Sequence, residues 1–151
     1  MKAYIAAPFS SMTEPVNDER LYGELKDIAY IGFPEGIENV VKECGFETFL
    51  PHRDLNKWGR VYIEPSATVS GCYTAISSCD VFIAYPGKSR GVHVEMGWAS
   101  SFKKRLILLI PMGEKPSLII SGLNAVARTE VVEFKDAEDM KTKLRTVLKR
   151  T

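Results

Sequence analysis

The sequence is poor in the residues that build metal centres and disulfide frameworks, with two histidines and three cysteines, Cys44, Cys72 and Cys79. The cysteine count is odd and no pair has C-x-x-C spacing, so neither a zinc ribbon nor a disulfide scaffold is expected, and the thiols read as reduced. No side-chain cluster has metal-ligand spacing, and neither a metal nor an organic cofactor is expected. Neither sign of charge dominates: 20 Lys and Arg stand against 19 Asp and Glu, a net charge of +1. That removes the long-range field with which basic proteins collect nucleic-acid polymers or anionic membrane, so any anion has to be held by local geometry. No apolar run approaches the ~20 residues of a membrane-spanning helix. The amino-terminal "MKAYIAAPFS" meets a proline at position 8, too early for the apolar region of a signal peptide. A cytoplasmic location is expected. Repeats and low-complexity segments are also lacking, and 151 residues at 45% hydrophobic content suit one core rather than two. Residues 1–151 therefore read as one domain.

What the sequence does contain is alternation. Short apolar or β-branched runs at 3–7, 47–50, 80–85, 105–110 and 130–134 read as strands, and the third and fourth are apolar almost throughout, as strands buried on both faces are. Between them, residues 35–45, 66–79, 92–104 and 136–150 carry helical spacing or helix-end signals. Gly45 follows the first as a stop, and the last begins with acids and ends with bases. This pattern predicts an α/β fold, a doubly wound parallel sheet of about five strands in a flavodoxin-like, Rossmann-like three-layer sandwich. Residues 9–35 and 51–66 are irregular, with a possible helix from Asp18 to Tyr30. Both irregular stretches follow strands, so they belong over the carboxyl edge of the sheet, where open α/β sheets bind ligands.

The stretch "PGKSRGVHVEMGWAS", residues 86–100, turns from the third strand into a helix and carries a lone acid, Glu95. Backbone N–H groups at such a turn are unpaired and the helix dipole adds positive charge, so Ser89, Arg90 and Gly91 make a plausible anion contact. Glu95 is placed in the first turn of that helix, where a glutamate ordinarily does no more than complement the dipole. Its apolar neighbours Val94, Met96 and Trp98, and the flanking Gly91 and Gly97, suggest instead a partly desolvated carboxylate approached closely by a ligand.

These residues resemble a family. "YIAAP" near the start, an aspartate opening the third strand, "SRGVHVEMGWA" and the basic-capped strand "KKRLILLI" are similar to the nucleoside 2-deoxyribosyltransferase superfamily, including its nucleoside 5′-monophosphate N-glycosidase branch. The likeness is loose over most of the chain and tight over 80–110. It implies that Glu95 is a nucleophile, that Tyr4 in the first strand orients it, and that Asp80 supports the site. A carboxylate beneath the anomeric carbon suits this chemistry, because it captures the oxocarbenium-like sugar as a covalent ester.

Two serines divide the branches. Enzymes of the family that take free nucleosides carry an aspartate six residues before the nucleophile, whereas Ser89 stands there in this chain. A hydroxyl donates to phosphate where a carboxylate would repel it. "KPSLIISG" resembles the segment that presents a serine, here Ser117, to the phosphate across a dimer interface. Ser10 and Ser11 are further candidate phosphate donors, although Pro8 replaces the serine that the monophosphate branch tends to carry. The family's aspartate eight residues before the strand-opening acid is replaced by Cys72, a poor general acid. His52, His93 or Asp54 is left to supply the proton, and His52 is also a candidate base or sugar contact. The reading is a homodimeric hydrolase acting on a small-molecule nucleotide or nucleoside, with deoxyribosyl transfer or a non-catalytic nucleotide sensor as alternatives.

Overall fold

In the computed structural model, which describes residues 1–150, the chain opens with strand β1 (Lys2–Ala6). An irregular segment follows, holding β2 (Thr13–Glu14) and β3 (Glu24–Leu25), paired antiparallel as a small separate ribbon. Helix α1 (Gly32–Glu43) leads to β4 (Glu47–Phe49), the one-turn helix α2 (Pro51–Asp54) and α3 (Pro65–Ser78). Next come β5 (Val81–Ala84), α4 (Arg90–Ser101) and β6 (Arg105–Pro111). A short α5 (Leu118–Ser121), β7 (Thr129–Phe134) and α6 (Ala137–Leu148) complete the chain. No helix among the described residues is long and apolar enough to cross a membrane.

The five longer strands form one parallel sheet in the order β4-β1-β5-β6-β7. This is the flavodoxin-like order, and its direction reverses between β1 and β5, which opens a crevice outside their carboxyl ends. Strand residues alternate between the faces. Ala3, Ile5, Val81, Ile83, Ile107 and Leu109 meet Ile37, Val41, Met140 and Leu144 of α1 and α6. Tyr4, Ala6, Phe82, Ala84, Leu106 and Leu108 face Cys72, Ile76, Val92, Met96 and Ala99 of α3 and α4. The α/β three-layer expectation therefore holds, and the five expected strands and the four helices expected from residue 35 onward form within a few residues of their expected ends.

The possible helix from Asp18 to Tyr30 does not form. Two close backbone approaches hold that segment open. A Cβ at Gly23 would lie 2.7 Å from the carbonyl oxygen of Glu14, and one at Gly59 would lie 2.4 Å from that of Gly23. The segment is thus pressed onto residues 56–62, and its hydrogen bonds run across the ribbon and to that loop, as in Tyr22 N to Gly59 O at 2.9 Å. Lys57, Trp58 and Gly59 all take positive φ (52°, 59° and 88°), a left-handed run that reverses the chain after α2.

Candidate functional site

Tyr4 sits in the middle of β1 on the face covered by α3 and α4. Its ring is fully buried and stacked between Phe49 and Phe82, with centroids 5.6 and 5.3 Å away. A ring held on both sides has a fixed hydroxyl, and that hydroxyl donates a 2.7 Å hydrogen bond to Oε1 of Glu95. Burial first, and then the adjacent Glu95 charge, push the phenol far above its ordinary range, so it remains a donor.

Helix α4 begins at Arg90, capped by Ser89, whose Oγ accepts from the Val92 N–H at 3.3 Å. Glu95 accordingly falls in the second turn, not the first, and the dipole reading of it lapses. Its spacing from Val92 and Ala99, both buried, turns it inward beside Tyr4. Burial raises the carboxyl to about 7, against the hydrogen bonds of Tyr4 and Cys72, which lower it. Cys72 of α3 reaches both groups, and burial holds its thiol up at about 11, so it is a proton-bearing donor.

Glu95 and Cys72 open into a cavity of about 510 Å³ at the crevice between β1 and β5. Lys88, Ser89, Arg90 and Gly91 line it from the start of α4, as the anion reading requires. Phe9, Ser10, Ser11 and Tyr22 line it from the first irregular segment, and His52, Asn56, Ile63 and Thr68 from the second and the start of α3. The Ser10 and Tyr22 hydroxyls pair at 2.6 Å. His52 stacks on Phe9 at 4.4 Å and its Nε2–H donates to the Ala7 carbonyl at 2.7 Å. Burial drives His52 down to about 4, against that hydrogen bond, so its imidazole is neutral at pH 7.

Other expected site residues lie elsewhere. Asp80 immediately precedes β5 at the amino edge of the sheet, the end away from the cavity, and accepts from the Lys2 N–H at 2.7 Å. It braces β1 rather than the site: the residue before a strand and the loop at its far end are separated by the strand's length. Gly97 is no point of close approach, since a Cβ there would meet nothing within 4 Å. Ser117 caps α5, accepting from the Ile120 N–H at 3.4 Å, and lines a separate cavity of about 230 Å³ with His93 and Lys115. His93 donates from Nδ1 to the Ser89 carbonyl. Asp54 is taken up by Arg53 and the Leu50 N–H. Of the three groups named for the leaving-base proton, only His52 reaches the cavity. Tyr22, Asn56, Thr68 and Lys88 were not among the expected contacts. Among the described residues no three His, Cys, Asp or Glu side chains are grouped as metal ligands.

No family model and no curated relative matches the sequence. Solved structures do. BlsM, known from a solution structure, is 31% identical, with 99% of this chain and 92% of that chain covered and a TM-score of 0.71. The chain belongs to the nucleoside 2-deoxyribosyltransferase-like superfamily. Two further structures share the superfamily fold at lower identity. The CMP N-glycosidase BcmB of Clostridium botulinum is 24% identical over 97% of this chain and 99% of its own, with a TM-score of 0.69. A 2-deoxyribosyltransferase from Bacillus psychrosaccharolyticus is 19% identical over 93% and 90%, with a TM-score of 0.60.

Proposed function

We propose that the protein hydrolyses the N-glycosidic bond of a nucleoside 5′-monophosphate, giving free base and (deoxy)ribose 5-phosphate. One observation carries this reading: a buried tyrosine aims Glu95 into a cavity whose rim is the N-terminus of α4 with Lys88, Ser89 and Arg90. The carboxylate supplies a nucleophile for C1′, and the helix start supplies N–H, hydroxyl and cationic groups for the phosphate. Ser89 uses an Oγ lone pair on the Val92 N–H and keeps its proton for a phosphate oxygen. Attack by Glu95 gives a glycosyl ester, and water then releases the sugar. The named activities of BcmB and the deoxyribosyltransferase support this class of reaction.

In this reading the protein works as a homodimer. Leu118 and Ile119, 92% and 80% exposed, follow Ser117 directly, and an apolar surface of this kind is suited to a second copy. Ser117 would then serve the partner's phosphate, in keeping with its absence from its own chain's main cavity.

Incubation with ribo- and deoxyribonucleoside monophosphates, followed by chromatography of the bases, tests the proposal. Base released without an acceptor base, and lost in Glu95→Gln, is the expected result. Base exchange only with an added acceptor would mean transfer. Binding with no product would mean a nucleotide sensor, the reading favoured by Cys72 at the family's aspartate position.

A further inference from the structure

Among the described residues no cation pairs with Glu95. The charged and titratable groups that face it are Tyr4 from β1, Cys72 from α3, His52 from α2, Tyr22 from the first irregular segment, and Lys88 and Arg90 at the start of α4. Of these, only Tyr4 and Cys72 bond to its carboxyl, and neither cation stands close enough to favour its charge. Helix periodicity puts Cys72 there. Thr68 and Cys72, four residues apart, line the cavity, and Ile76, one turn further on, is fully buried against the sheet. At 5% exposure the thiol lies in the same cluster as the Tyr4 ring. Burial keeps its proton on, so it brings a donor to the site and no charge. The aspartate that the family carries at this position would instead set a second carboxylate beside the first, and like charges that close resist ionising together.

We propose that Cys72 is a positioning residue: its neutral thiol is the second donor, after the Tyr4 hydroxyl, that fixes the Glu95 carboxylate, and its lack of charge leaves that carboxylate free to ionise. Its part in turnover rests on the hydrolase reading above, whereas its contact with Glu95 does not. A thiol is a weak donor in water. In a buried site without a cation each donor counts for more, and Tyr4 and Cys72 are the two groups that offset the burial of the Glu95 charge. Cysteine at the aspartate position is then an adaptation and not a lesion. Putting aspartate back would make two carboxyls share one proton near neutrality, and the ionised fraction of Glu95 would fall.

The test titrates Glu95 directly, following the glutamate carboxyl carbons by NMR in isotopically labelled protein without nucleotide, with Glu95→Gln identifying the signal. Cys72→Ala is expected to move the midpoint up by about one pH unit, Cys72→Ser, which keeps a donor of similar size, to leave it within about 0.3, and Cys72→Asp to raise it by more than about one. Turnover of the nucleoside monophosphates is read alongside. Cys72→Ala is expected to lose about tenfold at pH 7 and to recover as pH rises, Cys72→Ser to stay within about threefold of wild type, and Cys72→Asp to fall below wild type. A Cys72→Ala protein with the wild-type midpoint, or a Cys72→Ser protein that titrates like Cys72→Ala, overturns the proposal. So does a Cys72→Asp protein more active than wild type, the result expected if the thiol were the remnant of a lost acid. A packing role alone would lower stability without moving the midpoint or separating serine from alanine. If the wild type cleaves no nucleotide, the hydrolase reading fails and the titration still decides what the thiol does.

Discussion

The Tyr4 hydroxyl and the Glu95 carboxylate meet at 2.7 Å across 91 residues of sequence. Two periodicities bring them together. The two-residue repeat of β1 turns Tyr4 toward the α3 and α4 layer, and the spacing of α4 turns Glu95 toward the sheet beside Val92 and Ala99. The bond lowers the carboxyl while burial raises it to about 7, so the tyrosine both fixes the carboxylate proposed as nucleophile and keeps it ionisable near neutrality.

Tyr4→Phe keeps the stack on Phe49 and Phe82 and removes one hydrogen bond to the Glu95 carboxylate. The Glu95 carboxyl then rises further. Because the proposed carboxylate nucleophile has to be ionised, turnover in the wild type is expected to fall as pH drops through about 7, and in Tyr4→Phe that acid limb is expected to move to higher pH. A drop in kcat of about tenfold to 100-fold at pH 7 is expected from lost aim and lost ionisation together. A pH–rate profile checks both; an unmoved limb would show that the hydroxyl does not govern Glu95.

Glu95→Gln should stabilise the fold at alkaline pH. The native carboxyl, raised from its ordinary 4.5 to about 7, holds its proton more tightly than the unfolded chain does. Wild-type stability thus falls as pH rises from 4.5 to 7, with the whole cost present above 7. Allowing for the solvent-open cavity, the amide is expected to gain about 1–2 kcal/mol at pH 8 and nothing at pH 4. Urea titrations at the two pH values measure the difference.

Much of this was legible in the sequence, for definite reasons. Strands β5 and β6 announce themselves because a strand buried on both faces is apolar throughout, and Glu95 because a lone acid stands among Val94, Met96 and Trp98. The irregular segments were not legible, because their structure is set by contacts between them. Nothing local in "RLYGEL" shows that Gly23 must touch Gly59, nor in "LNKWG" that Asn56 faces a ligand cavity, although asparagine three residues before a glycine in a polar loop is a turn signal. Asp80 misled because the motif "strand-opening acid" marks a sequence position and not an end of the sheet: only the carboxyl edge reaches the cavity.

Glu38 holds the helix that carries His52. It is buried at 3% exposure, accepts from Thr48 at 2.5 Å and Lys42 at 3.0 Å, and pairs with Arg53, whose other nitrogens grip Asp54 at 2.7 and 2.9 Å. Burial works to raise this carboxyl, but the hydrogen bonds from Thr48, Lys42 and Arg53 outweigh it and hold it below the ordinary value. Its contribution is therefore complete above the ordinary carboxylate range and disappears as pH falls through the lowered native value. Glu38→Gln is expected to cost about 1–2 kcal/mol at pH 7, with the deficit shrinking toward pH 3. Parallel denaturation of wild type and variant across that range checks the sign.

Gly59 makes the sharpest demand on the backbone. Its φ of 88° is open to few residues but glycine, and an added Cβ would lie 2.4 Å from the Gly23 carbonyl oxygen, which is backbone and cannot swing aside. Gly59→Ala must then either separate the two irregular segments or unwind the left-handed run at Lys57 and Trp58. Either route withdraws the Gly59 N–H from Asn56 and the Gly59 carbonyl from the Tyr22 N–H, and so disturbs two residues that line the cavity. A loss of about 2–3 kcal/mol in stability is expected, together with an increase in KM larger than the fall in kcat, because Glu95 and Tyr4 stand on rigid elements remote from the change. If Gly59→Ala unfolds at the wild-type urea midpoint and keeps its KM, the close packing of the two segments does not shape the site.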